Sequence, residues 1–135
     1  MAIREYSMTR DSTRQLSPSF RVREFACKGS DVVLIDDELV VLLQCIREHF
    51  GKPVHITSGY RTAAHNRAVG GAVYSQHQYG RAADIRVSGV PVEQLAAETA
   101  KMLFSLTSGK EEPCSKVYDG ELVVRESTKS RIAQQ

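Results

Sequence analysis

A chain of 135 residues, 41% hydrophobic and 25% charged, has room for a single soluble-type domain with one modest core. Its net charge of +2 is too small to argue for a nucleic-acid partner, and no apolar run approaches the roughly 20 residues of a membrane span. Three cysteines (Cys27, Cys45, Cys114) without C-x-x-C spacing argue against a disulfide framework and against a cysteine-rich zinc knot, with Cys45 read as a core residue.

In chain order, residues 1–17 are polar and read as a flexible N-terminal arm, and residues 18–135 as a single domain. The arm lacks the apolar stretch of a signal peptide, so no export signal is expected. Its arginines, with Arg21 and Arg23, are offset by Glu5, Asp11 and Glu24 and read as a solvated surface. Phe20 to Phe25 is a short segment packing two aromatics on the domain. Asp36 or Asp37 caps a helix running through Phe50, because Leu39, Leu42, Leu43, Ile46 and Phe50 recur at helical spacing. Gly51 stops it and Pro53 follows. Val54 to Ser58 alternates as a strand, and Thr62 to Val69 forms a short helix before Gly70-Gly71. Ala83, Ile85 and Val87 alternate with Asp84 and Arg86 in a second strand, which turns Asp84 away from the core side. Pro91 opens a helix to about Phe104, and a last strand spans about Glu121 to Val124. Short strands among helices predict an α+β fold, a small antiparallel sheet flanked by helices.

The densest chemistry lies in Ser75-Gln76-His77-Gln78-Tyr79-Gly80-Arg81-Ala82-Ala83-Asp84. Seven residues span about 23 Å as a strand and about 10 Å as a helix. Ligand atoms on one Zn²⁺ lie only ~2 Å from the metal, so His77 and Asp84 share an ion only if the chain reverses between them. Gly80 is the residue best able to allow that reversal, since it tolerates positive φ. The segment reads either as half of a metal site or as a surface loop leading into an edge strand.

The pattern Ser-x-His-x-x-Gly-x-Ala-x-Asp, matched at Ser75, His77, Gly80, Ala82 and Asp84, resembles the zinc D-alanyl-D-alanine carboxypeptidase family of peptidoglycan peptidases, in the hedgehog-like metallopeptidase superfamily. Ile56-Thr57-Ser58-Gly59-Tyr60-Arg61-Thr62, His65-Asn66, Gly70-Gly71-Ala72 and the opening Phe20-Arg21-Val22-Arg23-Glu24-Phe25 resemble the same family, over approximately residues 18–104. The resemblance implies a Zn²⁺ cofactor held by His77 and Asp84, and a substrate-contacting role for Arg61. A guanidinium fork suits a terminal carboxylate or a developing oxyanion. Ser75 either hydrogen-bonds the substrate carboxylate or caps its own loop.

The C-terminal third departs from that family, whose third zinc ligand is a histidine in a strand of the form Phe-x-His-x-Asp-x-Arg. The histidines here are His49, His55, His65 and His77, and none follows His77. Ser105 to Cys114 is polar and loop-like, and Val117 to Arg125 resembles a worn version of the final strand. Counting back from Arg125 puts Glu121 at the ligand position and Val123 where an aspartate would stand. Glu121 is therefore the candidate third ligand, with Asp119 and Glu126 the other nearby carboxylates for a general base. Two carboxylates cancel the charge of Zn²⁺ and would leave a less acidifying centre. The remaining histidines have plainer roles: His49 at a helix C-terminus, His55 on a strand surface, His65 as a loop donor.

The resemblance thus implies a monomeric zinc peptidase acting on peptidoglycan stem peptides, of the carboxypeptidase or phage endolysin type. Without an export signal, it would be bacterial cytoplasmic or phage-encoded and would reach the wall after release. The alternative is a catalytically impaired relic of the same fold, serving as a wall-binding or virion structural module.

Overall fold

The structure, a computed structural model, describes residues 2–107 and 121–124, with residues 103–107 and 121–124 described in their backbone alone. Strand β1 (Ile3–Ser7) leads through a single helical turn, α1 (Met8–Asp11), to the short strands β2 (Gln15–Ser17) and β3 (Phe20–Arg21). A 3₁₀ turn (Val22–Phe25) precedes β4 (Val32–Asp36) and helix α2 (Asp37–Phe50). Strand β5 (Val54–Ser58), helix α3 (Ala63–Ala68), a second 3₁₀ turn (Gln76–Tyr79) and strand β6 (Ala82–Val87) then build the part of the fold that carries the chemistry. Helix α4 (Val92–Thr107) and strand β7 (Glu121–Val124) complete the described elements.

The architecture is α+β. β1 pairs with β4, β2 with β3, and β5 with β6, all antiparallel. β7 joins β6 in parallel, with Ala82 opposite Glu121 and Asp84 opposite Val123. A parallel neighbour needs a crossover, and α4 lies between the two strands in the chain.

Helix α2 forms where the apolar spacing places it, and both ends have local causes. Asp36 Oδ1 accepts the Glu38 N–H at 2.9 Å, and Gly51 closes the helix in the left-handed conformation at φ 63°. Its buried face (Leu39, Leu42, Leu43, Ile46) meets Phe20, Val22 and Phe25 from one side and Ile35, Ala83, Ile85 and Leu95 from others in one core cluster. Each such side chain contributes roughly 1.5–3 kcal/mol on burial. His49, expected to serve the helix dipole, also binds Glu98 of α4 at 2.6 Å. That hydrogen bond, with one from Gln94, holds the Glu98 carboxyl below its ordinary range.

Three expectations change. Residues 1–17 are not a free arm: Ile3–Ser7 pairs with β4 from Ile3 opposite Asp36 to Ser7 opposite Val32, and Tyr6 enters the core. Asp31 fastens the end of β1, accepting from Ser7 Oγ and from Thr9 N and Oγ1, each at 2.7 Å. Cys45 is half-buried and disulfide-bonded instead of a free core thiol, while Cys27 is buried and free. The polar stretch expected as a loop from Ser105 begins inside α4, and residues 108–120 lie outside the described residues. Among the described residues no helix is long and apolar enough to cross a membrane.

Gly80 ties the second 3₁₀ turn to β4. It adopts φ 75°, its carbonyl accepts the Asp36 N–H at 2.9 Å, and a Cβ there would collide with the Leu34 carbonyl and lie 2.9 Å from Ile35 N. Gly51 has a similar φ but open space around it. Gly51→Ala is therefore expected to cost only the backbone penalty of roughly 1–2 kcal/mol. Gly80→Ala adds an overpacking cost of roughly 1–3 kcal/mol. Chemical denaturation of the two variants side by side checks this; equal losses would mean that the β4 contact is unimportant.

Candidate metal centre

Strand β5 carries a bulge where it reaches the site. Ile56 pairs with Ile85, but Ser58 rather than Thr57 pairs with Asp84, so one extra residue re-aims the end of the strand. Thr57 donates its hydroxyl to the Asp84 carbonyl at 3.2 Å. Beyond the bulge the chain is held from both sides: Tyr60 N–H donates to the Phe25 carbonyl at 2.9 Å, and Arg61 N–H to the His77 carbonyl at 3.0 Å. Gly59 passes so near Phe25 that a Cβ would lie 2.8 Å from Phe25 Cα.

Held in this way, the Gly59 carbonyl meets His77 Nδ1 at 2.7 Å. A carbonyl only accepts, so Nδ1 carries a proton and Nε2 is the ring atom left for chemistry. Nε2 lies 3.4 Å from Asp84 Oδ1, with the two residues only 4% and 6% exposed. A bare Nε2 lone pair aimed at a carboxylate is favourable only with a cation between them. That cation is either a proton on Nε2 or a metal ion. The separation exceeds the usual ~2.7–3.2 Å of an N–H···O hydrogen bond. Two ligand atoms at ~2.0–2.2 Å from one tetrahedral Zn²⁺ stand about 3.4 Å apart. The donor pair therefore fits zinc in spacing and chemistry, with the second imidazole nitrogen oriented by a carbonyl as metal-binding histidines require.

The other oxygen, Asp84 Oδ2, faces Arg61 Nη2 at 3.6 Å. Arg61 Nε donates to Ser58 Oγ at 3.2 Å and Nη1 to Asn66 Oδ1 at 3.1 Å. Thr62, next in the chain, caps α3 by accepting the His65 N–H at 3.1 Å. Ser75 Oγ accepts the His77 N–H at 3.3 Å, which is the capping role of the two weighed for it. Tyr60 packs against the core, and burial, aided by the neighbouring Cys27, pushes its phenol above the ordinary value, so it remains a donor at neutral pH. Val73 and Tyr74, in the loop before His77, are 78% and 81% exposed.

The structure thus brings together His77, Asp84 and Arg61, with Ser75 beneath the turn. His55 instead contacts Ser88 Oγ at 3.0 Å, and among the described residues no group of three His, Cys, Asp or Glu side chains gathers on one point. Glu121 enters only through its backbone register opposite Ala82, two residues before the Val123–Asp84 pair. Asp119 and Glu126 lie outside the described residues. Sequence reasoning missed the work of Gly59, Ser58 and Asn66. Their signal was the Ser58-Gly59-Tyr60-Arg61 run and the spacing of Asn66 to Gly70-Gly71, which mark a tight turn without naming its partners. It also missed the Asp36–Arg81 pair, 3.4 Å apart and fully buried at Asp36, that braces the same turn from below.

In nitrogen-15 spectra, His77 Nδ1 is expected to stay protonated while added Zn²⁺ shifts the Nε2 resonance. An Nε2–H that zinc leaves unchanged would remove this nitrogen from the ligand set.

Residues 18–110, more than half of the chain, match the family model described as Peptidase M15. No curated protein and no solved structure matches the chain.

Proposed function

The chain belongs to the Peptidase M15 family, and we propose that it is a zinc-dependent peptidase domain acting on peptidoglycan stem peptides, cleaving beside a D-alanine. The observation that carries this reading is the buried His77 Nε2–Asp84 Oδ1 pair at 3.4 Å, the spacing of two ligands of one tetrahedral ion. M15 peptidases are generally zinc-dependent, which agrees with that donor set.

When bound, zinc would supply Lewis-acid polarisation of the scissile carbonyl and acidification of the attacking water. The residues of the chain do the rest. His77 and Asp84 hold the ion, and the Gly59 carbonyl keeps Nε2 turned toward it. Glu121 is our candidate third ligand, a reading supported by its register beside Ala82, near Asp84. Glu121 as a ligand leaves the general base to Asp119 or Glu126; Glu121 as the base leaves the third coordination position to another group. Arg61 has five N–H donors, of which Ser58 and Asn66 take two and Asp84 orients a third. Those left on Nη1 and Nη2 can hold the terminal carboxylate of a stem peptide or a developing oxyanion. The Ser75 hydroxyl keeps its own proton for the same carboxylate. On this reading the domain works as a monomer, encoded by a bacterium or a phage and reaching the wall after release.

A second reading is favoured by one feature, the lack of any histidine after His77. A site with two carboxylates is less positive and polarises a carbonyl less, so the fold could survive as a wall-binding or virion module that keeps metal without turnover.

Zinc analysis and a peptide ending in D-Ala-D-Ala separate the two. For the enzyme we expect one zinc per chain, release of D-alanine, and loss of both in His77→Ala. Glu121→Ala is expected to lower zinc affinity by tenfold or more; unchanged affinity removes Glu121 from the ligand set. Stoichiometric zinc without hydrolysis supports the module, and no zinc at all ends both metal readings.

A further inference from the structure

Asn66 does nothing in the chemistry described so far, yet it is only 3% exposed and uses all its polar groups. Its backbone N–H continues α3 to the Thr62 carbonyl at 2.9 Å, and its carbonyl accepts the Gly71 N–H at 2.8 Å. Its side chain works in two directions at once. Oδ1 accepts from Arg61 Nη1 at 3.1 Å, and Nδ2 donates to the Ala72 carbonyl at 2.8 Å. Because these are an oxygen and an NH₂, one acceptor toward a guanidinium and one donor toward a carbonyl, the amide orientation is dictated by its partners.

The two directions lead to the two halves of the site. Through Arg61 the amide reaches Asp84, whose Oδ2 faces Nη2 of the same guanidinium at 3.6 Å. Through Ala72 it reaches the turn before His77: the Ala72 carbonyl also accepts the Ser75 N–H at 3.1 Å, and Ser75 caps the His77 turn. Gly71 has no room for a side chain, since a Cβ would collide with Asn66 Oδ1 and lie 3.0 Å from Arg61 Nη1. A planar guanidinium held at Nε by Ser58 and at Nη1 by Asn66 cannot rotate, so Nη2 stays toward Asp84.

We propose that Asn66 is a positioning residue for the metal site, locking the Arg61 guanidinium against Asp84. The inference rests on the metal reading of His77 and Asp84. Groups outside the ligand set that orient it typically change metal affinity 10–100-fold when removed. Asn66 acts on Asp84 only through Arg61, which makes its effect conditional on that residue.

The test is a double-mutant cycle on zinc affinity, measured by competition with a chromogenic chelator on the full chain. Asn66→Ala is expected to weaken zinc binding about tenfold in the wild-type background and less than twofold in an Arg61→Ala background. The same cycle with Asn66→Asp, which keeps the volume and the acceptor oxygen, covers the case in which Asn66→Ala fails to fold. A carboxylate there competes with Asp84 for the charge of Arg61 without releasing Nη1, so any loss of affinity it causes through the guanidinium is expected to vanish in the Arg61→Ala background. Equal losses in both backgrounds would show that Asn66 merely supports the fold and would overturn the proposal. Unchanged affinity in the wild-type background would do the same. Failure of the wild-type chain to take up zinc would overturn the metal reading first, and this inference with it.

Discussion

Gly80 packs against the backbone of β4 only because it has no Cβ, and the spacing of His77 and Asp84 follows from that contact. The turn is braced by a buried carboxylate. Asp36 gives its N–H to the Gly80 carbonyl at 2.9 Å, turns Oδ2 toward Arg81 Nε at 3.4 Å, and caps α2 with Oδ1. A charge that is fully buried must be paired and hydrogen-bonded, and here the pairing partner is the residue that follows the turn. Core formation by α2 and β4 and placement of the imidazole are therefore one event. Loosening either end moves the imidazole.

Above this brace, backbone groups do most of the aiming. His77 is gripped through its ring by the Gly59 carbonyl and through its own carbonyl by the Arg61 N–H. Both grips come from the short segment Gly59 to Arg61, which the bulge at Thr57 shifts by one position relative to a regular antiparallel pair. Without that shift Thr57 would stand opposite Asp84, and Ser58 would no longer present its hydroxyl to Arg61. A site built from main-chain contacts tolerates little adjustment, and this suits the proposed pair of ligands, which would have to converge within a fraction of an ångström.

Much of this was legible before any coordinates. Helix α2 has its apolar period, its cap and its glycine stop within one continuous stretch, so local reasoning suffices. The reversal at Gly80 was legible because the distance between two ligands on one ion cannot be met by a strand or a helix over seven residues. What escaped was long-range or silent in pattern. β1 shows mostly exposed side chains and one buried tyrosine, so it has no alternation, and its partner β4 lies far along the chain. A bulge inserts one residue without changing composition, and an alternating run does not say whether β7 joins β6 parallel or antiparallel. Asn66 was visible as a residue near Gly70-Gly71, but not the guanidinium on its other side.

Arg61 bears on how this chain can use a carboxylate where the family has an imidazole. On the proposed ligand set of His77, Asp84 and Glu121, the two carboxylates neutralise Zn²⁺. A nearby fixed cation then matters more than it would beside a positive centre. Arg61 Nη2 lies 3.6 Å from Asp84 Oδ2, so it steadies the carboxylate whose other oxygen, Oδ1, faces His77 Nε2 at 3.4 Å. An arginine suits this better than a lysine, because its plane is fixed by Ser58 and Asn66. On the proposed function, the same group would also meet the anionic end of a stem peptide. Charge balance at the ion and substrate recognition would then both depend on one guanidinium whose orientation Asn66 sets.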